Sequence, residues 1–396
     1  MPSTRGERNS RRLREVLAAV TPLGWSALVL TVVATVLGAI TGWVELAALA
    51  TVLLVALAIA ALQSWGRALY RVNIDLARER VRQGDRVYGR VRARNIARTK
   101  LLPVMLELPV GSSLSTFSVP ALSSNTEWQE EFRVPTDRRA VLTLGPAATI
   151  RADAVGLTQR RRTWGGAREV IVHPQTVSLS VGSAGVMRDL EGSATPSRAE
   201  ASLEFHALRE YVPGDDVRRI HWRSTARTGT VLMRQDEDIR RTRQAIALTT
   251  DADCFHDPEE FELAVAVTAS WAVDAIRADR NVSLVAGRRL PDKTTVAALD
   301  AMTAIHLDSI GTGVEQACGW IAREVPDVSL ATLVTGGVPT PELLRRAVSV
   351  IGPDALVVAI CCEPGVRPEV VRERRHVLLR LGELQDLPAL IRRVLQ

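Results

Sequence analysis

Residues 16–66 read VLAAVTPLGWSALVLTVVATVLGAITGWVELAALATVLLVALAIAALQSWG, and Glu45 is the one charge among them. Either side of it stand enough apolar residues to cross ~30 Å of hydrocarbon, about 20 at ~1.5 Å each. Gly42, Trp43 and Glu45 together predict a very short turn between two spanning helices. Trp25, Trp43 and Trp65 fall near one end, the turn, and the first end again, and indoles prefer the headgroup level. Arg5, Arg8, Arg11, Arg12 and Arg14 precede the pair, and Arg67, Arg71, Arg78, Arg80 and Arg82 follow it. Positive-inside reasoning then puts both termini and everything after residue 66 in the cytoplasm, with the Gly42–Glu45 turn outside. Ala48-Leu49-Ala50 mimics a signal-peptidase site. However, a signal h-region runs only ~7–15 residues and is not followed at once by a second apolar span. The expectation is a two-pass anchor in the cell membrane, residues 1–66, with the lipid bilayer as its first partner.

The remainder is too long for one compact domain and too apolar for a disordered tail: 396 residues in all, 46 % hydrophobic and 24 % charged. Cys254, Cys318, Cys361 and Cys362 are too few and too unevenly placed for a disulfide framework, which suits reducing cytosol. The net charge of +6 invites a nucleic-acid reading. Yet Lys100 and Lys293 are the only lysines, and aromatics at 4 % are poor material for base stacking. No nucleic acid is expected as a partner.

Over 67–180 the hydrophobic period changes to two. Val72, Ile74 and Leu76 alternate with polar neighbours, and Gly84-Asp85 marks a turn. Val87, Gly89, Val91 and Ala93 alternate with Tyr88, Arg90, Arg92 and Arg94. Further strands are expected at Val104–Val110, around Trp128, Phe132 and Val134, and at Val141–Leu144 before Gly145-Pro146. Short strands at this spacing predict a small β-sandwich. The arginine stripe suits either anionic headgroups or an ordinary solvated face.

Residues 181–242 hold a linker, Gly182–Ser202, and then a dense motif: Phe205-His206-Ala207-Leu208-Arg209-Glu210-Tyr211-Val212-Pro213-Gly214-Asp215-Asp216-Val217-Arg218-Arg219-Ile220-His221-Trp222-Arg223-Ser224-Thr225-Ala226-Arg227-Thr228-Gly229. Pro213-Gly214 suits a type II turn. Asp215 or Asp216 is expected to cap a short helix with Val217 and Ile220 buried, and Thr228-Gly229 to stop it. Arg209, Arg219 and Arg227 are expected to pair with Asp215 and Asp216. Such a cluster suits packing between domains or docking of a partner. Ser224, His221 and Asp215 are also triad types, which would make a hydrolase acting on an envelope precursor or peptide. No strand–elbow–helix surrounds the serine, and His206 and His221 lack companion zinc ligands.

Residues 243–396 alternate strand-like and helical runs. Strands are expected at Ala245–Thr249, Val282–Ala286, Leu330–Val334, Leu356–Ile360 and Val377–Leu381. Helices are expected at Pro258–Ala278, Val296–Ile305, Val314–Arg323, Glu342–Val348 and Ala389–Leu395. This is an α/β domain around a parallel sheet. Ligands of such sheets sit beyond the carboxyl strand ends, where Thr250, Asp251, Asp253 and Thr335-Gly336-Gly337 lie. Cys361-Cys362 reads as buried filler. There is neither a dinucleotide-binding glycine motif nor a Walker A, so no nucleotide cofactor is expected.

The run Leu208–Arg227 closely resembles the signature of the domain-of-unknown-function-58 family. Gly156-Leu157, the arginines after it and Val170-Ile171-Val172-His173-Pro174 are similar to the family's approach to that signature. The resemblance covers nearly the whole chain and implies the same layout, ending in a domain like von Willebrand factor type A. It also implies a membrane-anchored partner of a MoxR-type AAA+ ATPase in envelope, stress or complex-assembly processes. On the signature it singles out Arg209, Glu210, Tyr211, Pro213, Gly214, Asp215, Asp216, Arg219, Ile220, Trp222 and Arg227. It implies no known reaction. Metal-binding type A domains carry Asp-x-Ser-x-Ser after the first strand. Counted from Asp251, the serine positions here are Asp253 and Phe255; counted from Thr250, they are Ala252 and Cys254. Gly336 replaces the later acid. The expectation is an adaptor rather than an enzyme, with no metal held tightly around Asp251 and Asp253.

Overall fold

The computed structural model describes residues 19–64, 70–153, 155–179, 203–212, 220–238 and 243–394. The chain forms two compact units, Met1–His173 and Pro174–Gln396.

Among the described residues the first unit begins with helices α1 (Pro22–Thr41) and α2 (Val44–Ser64). Thr21 caps α1, its hydroxyl accepting from Gly24 N, and Pro22 takes the first-turn position where a missing N–H costs nothing. Gly42 ends α1 with φ 67°, its N–H donating to Gly38 O. The expected Gly42–Glu45 turn is thus shorter than the sequence suggested. Glu45 already lies in the first turn of α2, where the positive end of the helix dipole favours a carboxylate.

Small residues let the two backbones approach. A Cβ on Gly38 would lie 3.3 Å from Ala47 N, and Ala34, one turn before Gly38, is buried. Thr31, Thr35, Thr41 and Thr51 donate their hydroxyls to the carbonyls four residues back. Val29, Val32, Val36, Val52, Leu54 and Ile59 all stay at least half exposed. Both helices are long and apolar enough to cross a membrane. Trp65, Arg67 and the arginines before residue 15 lie outside the described residues.

Among the described residues ten strands follow: β1 (Tyr70–Leu76), β2 (Arg80–Arg82), β3 (Val87–Asn95), β4 (Val104–Val110), β5 (Ser113–Val119), β6 (Glu127–Val134), β7 (Ala140–Leu144), β8 (Ala147–Ala152), β9 (Gln159–Trp164) and β10 (Arg168–His173). One sheet runs β1-β3-β6, the other β2-β10-β7-β4-β8-β9 with β5 paired to β4. Val72, Ile74, Val91, Ala93, Phe132 and Val134 from the first share one core with Leu106, Leu108, Leu144, Ala147, Val170 and Val172 from the second. Two sheets around one core make the expected sandwich. The arginine stripe of β3 is spoken for by neighbouring strands and the loop before β6. Arg90 pairs with Glu131 at 2.7 Å and Arg92 with Asp75 at 2.5 Å, while Arg94 donates to Asn125 Oδ1.

In the second unit β11 (Leu203–Glu210) and β12 (Leu232–Asp238) form an antiparallel ribbon, with α3 (Trp222–Thr228) between them in sequence. The remaining elements are β13 (Arg243–Leu248), α4 (Pro258–Arg277), β14 (Asn281–Ala286), β15 (Arg288–Leu290), α5 (Thr295–Thr303), α6 (Val314–Glu324), β16 (Leu330–Gly336), α7 (Pro341–Val348), β17 (Leu356–Cys362), β18 (Glu369–Arg372), β19 (His376–Leu381) and α8 (Leu387–Val394). Sheet order is β15-β14-β13-β16-β17-β19-β18. The inner pairs are parallel, as expected, and the edge strands β15 and β18 are antiparallel. α4 starts with Asp257 as cap and Pro258 in its first turn, and buries Phe261, Val265 and Trp271 as its periodicity required.

Candidate functional site

Around the signature, short-range backbone bonds hold α3 to the ribbon. Tyr211 N donates to Val231 O at 2.9 Å, and His221 N to Leu232 O at 2.8 Å. Ile220 bridges Met233, and Leu232 N donates to Thr225 Oγ1 at 3.0 Å. Ile220 therefore precedes the helix instead of lying on its buried side. The cap of α3 is His221, whose Nδ1 accepts from Ser224 N at 3.2 Å; Asp215 and Asp216, expected to cap a short helix, lie outside the described residues. The three-residue spacing of His221 and Ser224 thus serves a helix end. Gly229, at φ 74°, stops the helix where Thr228-Gly229 was expected to.

The outer side of this segment is apolar and basic. Trp222 is 67 % exposed, Val212 56 % and Val231 40 %. Arg223, Arg227 and Glu210 are exposed, and Tyr211 is half-buried. Pro213, Gly214, Asp215, Asp216, Val217 and Arg219 lie outside the described residues, as does the side chain of Arg209. The expected ion-pair network and the third member of the triad fall there too.

At the carboxyl ends of the sheet β13 and β16 lie side by side. Thr249, just past β13, places its hydroxyl 3.1 Å from that of Thr335 on β16. Thr250 is laced to the loop before α6: Thr250 N donates to Thr312 O, Thr312 N to Thr250 Oγ1, and Asp308 N to Thr250 O, each at 2.9 Å. Asp251 caps the turn Ala252–Cys254, its Oδ1 accepting from Asp253 N at 3.1 Å. Asp253 is exposed.

Sequence reasoning missed Glu260, 1 % exposed in the first turn of α4. Its Oε1 accepts from Gly337 N at 2.6 Å, its Oε2 accepts from His256 N, and His256 Nδ1 lies 3.2 Å from Oε2. These donors and the helix N-terminus offset the cost of burying the carboxylate. An acid just after Asp257-Pro258 signals a helix start, but nothing local announces a bond to Gly337. The Cys254–Phe255 backbone lies against Gly336. A Cβ there would overlap Cys254 O and lie 2.6 Å from Phe255 Cδ1. Among the described residues no group of three or more His, Cys, Asp or Glu is placed to hold a metal ion. The thiols are enclosed. Burial pushes Cys318 and Cys361 up to about 12, Cys361 helped by Glu363, and raises Cys254 and Cys362 as well.

Residues 207–363, from β11 to the loop after β17, match the model of a family described as protein of unknown function DUF58. That match supports the resemblance carried by the signature. No curated protein matches the chain. Among solved structures, the CARDB domain of a Pyrococcus furiosus protein is 12 % identical over 26 % of this chain and 87 % of its own, with TM-score 0.21. The Pseudomonas fluorescens alkylpurine DNA glycosylase AlkC is 14 % identical over 35 % of this chain and 42 % of its own, with TM-score 0.20. A Listeria innocua beta-glucosidase is 11 % identical over 27 % of this chain and 16 % of its own, with TM-score 0.19.

Proposed function

We propose that this chain is a membrane-anchored adaptor of the DUF58 kind. Its helical hairpin holds it in the cell membrane, and the signature segment presents a docking surface to a MoxR-type AAA+ ATPase in the cytosol. The observation that carries this reading is Trp222, two-thirds exposed on a helix pinned by main-chain bonds and flanked by Val212, Val231, Arg223 and Arg227. Exposed indole and guanidinium groups on a fixed frame are the side chains most enriched among binding hot spots. The α/β domain, read as type-A-like on its five central parallel strands, acts as a scaffold. We read it as holding no divalent metal tightly, because Gly336 offers no ligand and Asp251 is engaged as a cap. Adaptor and not hydrolase is the reading favoured by His221, whose Nδ1 is committed to the backbone.

Pull-down from solubilised membranes tests it. The wild-type chain should recover the MoxR-type ATPase of the same cell, and Trp222→Ala should lose most of it while keeping its melting temperature. Equal recovery by both, or none by either, defeats the adaptor reading. A reporter fused after Gln396 should work only if it is one that functions in the cytosol.

A further inference from the structure

The loop after β8 grips both apolar helices at the same end of the hairpin. Thr21 Oγ1 donates to Gly156 O at 2.7 Å, and Thr21 N to Leu157 O at 3.1 Å. Gln159 N donates to Ala19 O at 2.7 Å, and Thr158 Oγ1 to Ala60 O at 3.3 Å. Helices that cross a bilayer therefore set this loop at its surface. Val155, 65 % exposed on the loop, suits that depth.

In the β8–β9 register Ala152 faces Gln159 and Arg151 faces Arg160. The two arginines sit one strand residue, about 3.4 Å, from the position bonded to Ala19. Like charges directly opposite on a sheet repel. Among the described residues neither has a carboxylate partner, whereas Arg161, on the other face of β9, pairs with Glu107 at 3.0 Å. Arg151 lies close enough to Tyr70 to oppose the rise that burial causes in its phenol pKa. Tyr70 begins the first strand after α2, so the arginine pair stands where the chain leaves the hairpin. The basic stripe on β3, in contrast, is matched by Glu131, Asp75 and Asn125.

We propose that Arg151 and Arg160 form a seat for the phosphate of an anionic phospholipid at the base of the hairpin. Planar guanidinium groups meet phosphate oxygens two bonds at a time, and the lipid anion relieves the repulsion between them. The inference rests on the membrane-anchored reading and adds a lipid class to it.

Native mass spectrometry of the full chain in mild detergent tests the seat, with phosphatidylglycerol and phosphatidylcholine as probes. Phosphatidylglycerol should be retained at least about fivefold over phosphatidylcholine, and about 0.5 M salt should erode that preference. The double variant Arg151→Gln, Arg160→Gln should bring the two lipids near parity; Arg90→Gln with Arg94→Gln should leave the preference intact. The seat is overturned by wild-type parity between the lipids, by a preference that survives the double variant, or by a preference lost equally in the β3 variant. It is also overturned if millimolar inorganic phosphate saturates the site while phosphatidylglycerol does not. Should the double variant fail to fold, the wild-type lipid and salt comparison decides alone. Release of the chain from membranes by carbonate is a separate result, counting against the anchor itself.

Discussion

The carbonyl oxygen of Leu157 stands where a Cβ on Gly24 would be, so the first apolar helix and the loop after β8 meet backbone to backbone. A Cβ there would also lie 2.8 Å from Val20 Cγ1. Gly24→Val should force the helix off the loop at a cost of about 1–3 kcal/mol or more, the usual penalty for overpacking. Thermal unfolding of the full chain in detergent should shift down by several degrees. An unchanged melting temperature shows that the two backbones do not touch.

Asp153 organises the same loop. Burial pushes its carboxyl up, but donors from Thr158 N and Oγ1, Leu157 N and Val155 N outweigh that and hold it below the ordinary carboxylate value. A depressed folded-state pKa contributes stability above the unfolded value of about 3.9, and that contribution disappears as pH falls through the folded value. Asp153→Asn should therefore be less stable than wild type at pH 7, and the gap should narrow below about pH 4. A gap that stays constant across that range rules out an ionised Asp153 as the latch.

Gly336→Asp would restore an acid at the strand end, and the expected gain of metal binding should not follow. The new side chain would have to displace the Cys254–Phe255 backbone, so the domain should lose about 1–3 kcal/mol. Calorimetry with and without Mg²⁺ reads both effects. A low-micromolar dissociation constant in either chain, abolished by Asp251→Ala, shows that the ligand set is complete after all.

The thiols of Cys318 and Cys361 should resist alkylation in the folded chain. With pKa values pushed up to about 12, each stays protonated at pH 8, and the thiolate is the reactive form. Iodoacetamide should label them only after denaturation. Rapid native labelling of either one means its strand or helix opens readily.

The fold was legible where apolar spacing was strict. Val87–Asn95 and Val104–Val110 alternate, Pro258–Arg277 repeats at helical spacing, and both gave strands and a helix within a residue or two of their ends. Elements set by partners instead of by pattern were not. β5 reads Ser-Leu-Ser-Thr-Phe-Ser-Val, and β9 begins Gln-Arg-Arg-Arg. Each is held by the neighbouring strand it pairs with, and nothing in its own composition marks it. At the site, the meeting of the β13 and β16 strand ends followed from parallel-sheet geometry alone. Glu260 did not, because its acceptor role depends on Gly337, distant in sequence. The cap of α3 was not legible because His221 is an unusual cap residue.

The two-residue link between α1 and α2, Gly42 and Trp43, has a consequence for how a membrane-anchored chain would be made. Two residues extend to about 7 Å, far less than the ~30 Å hydrocarbon core. On the proposed two-pass reading, with both ends on the side of synthesis, a spanning α1 would carry the start of α2 to the far face while the other end of α2 is still joined to the growing chain. The second helix cannot wait outside for a later, independent insertion. On that reading the two helices would enter together as one folded-back unit, and a lesion that stalls either would strand both.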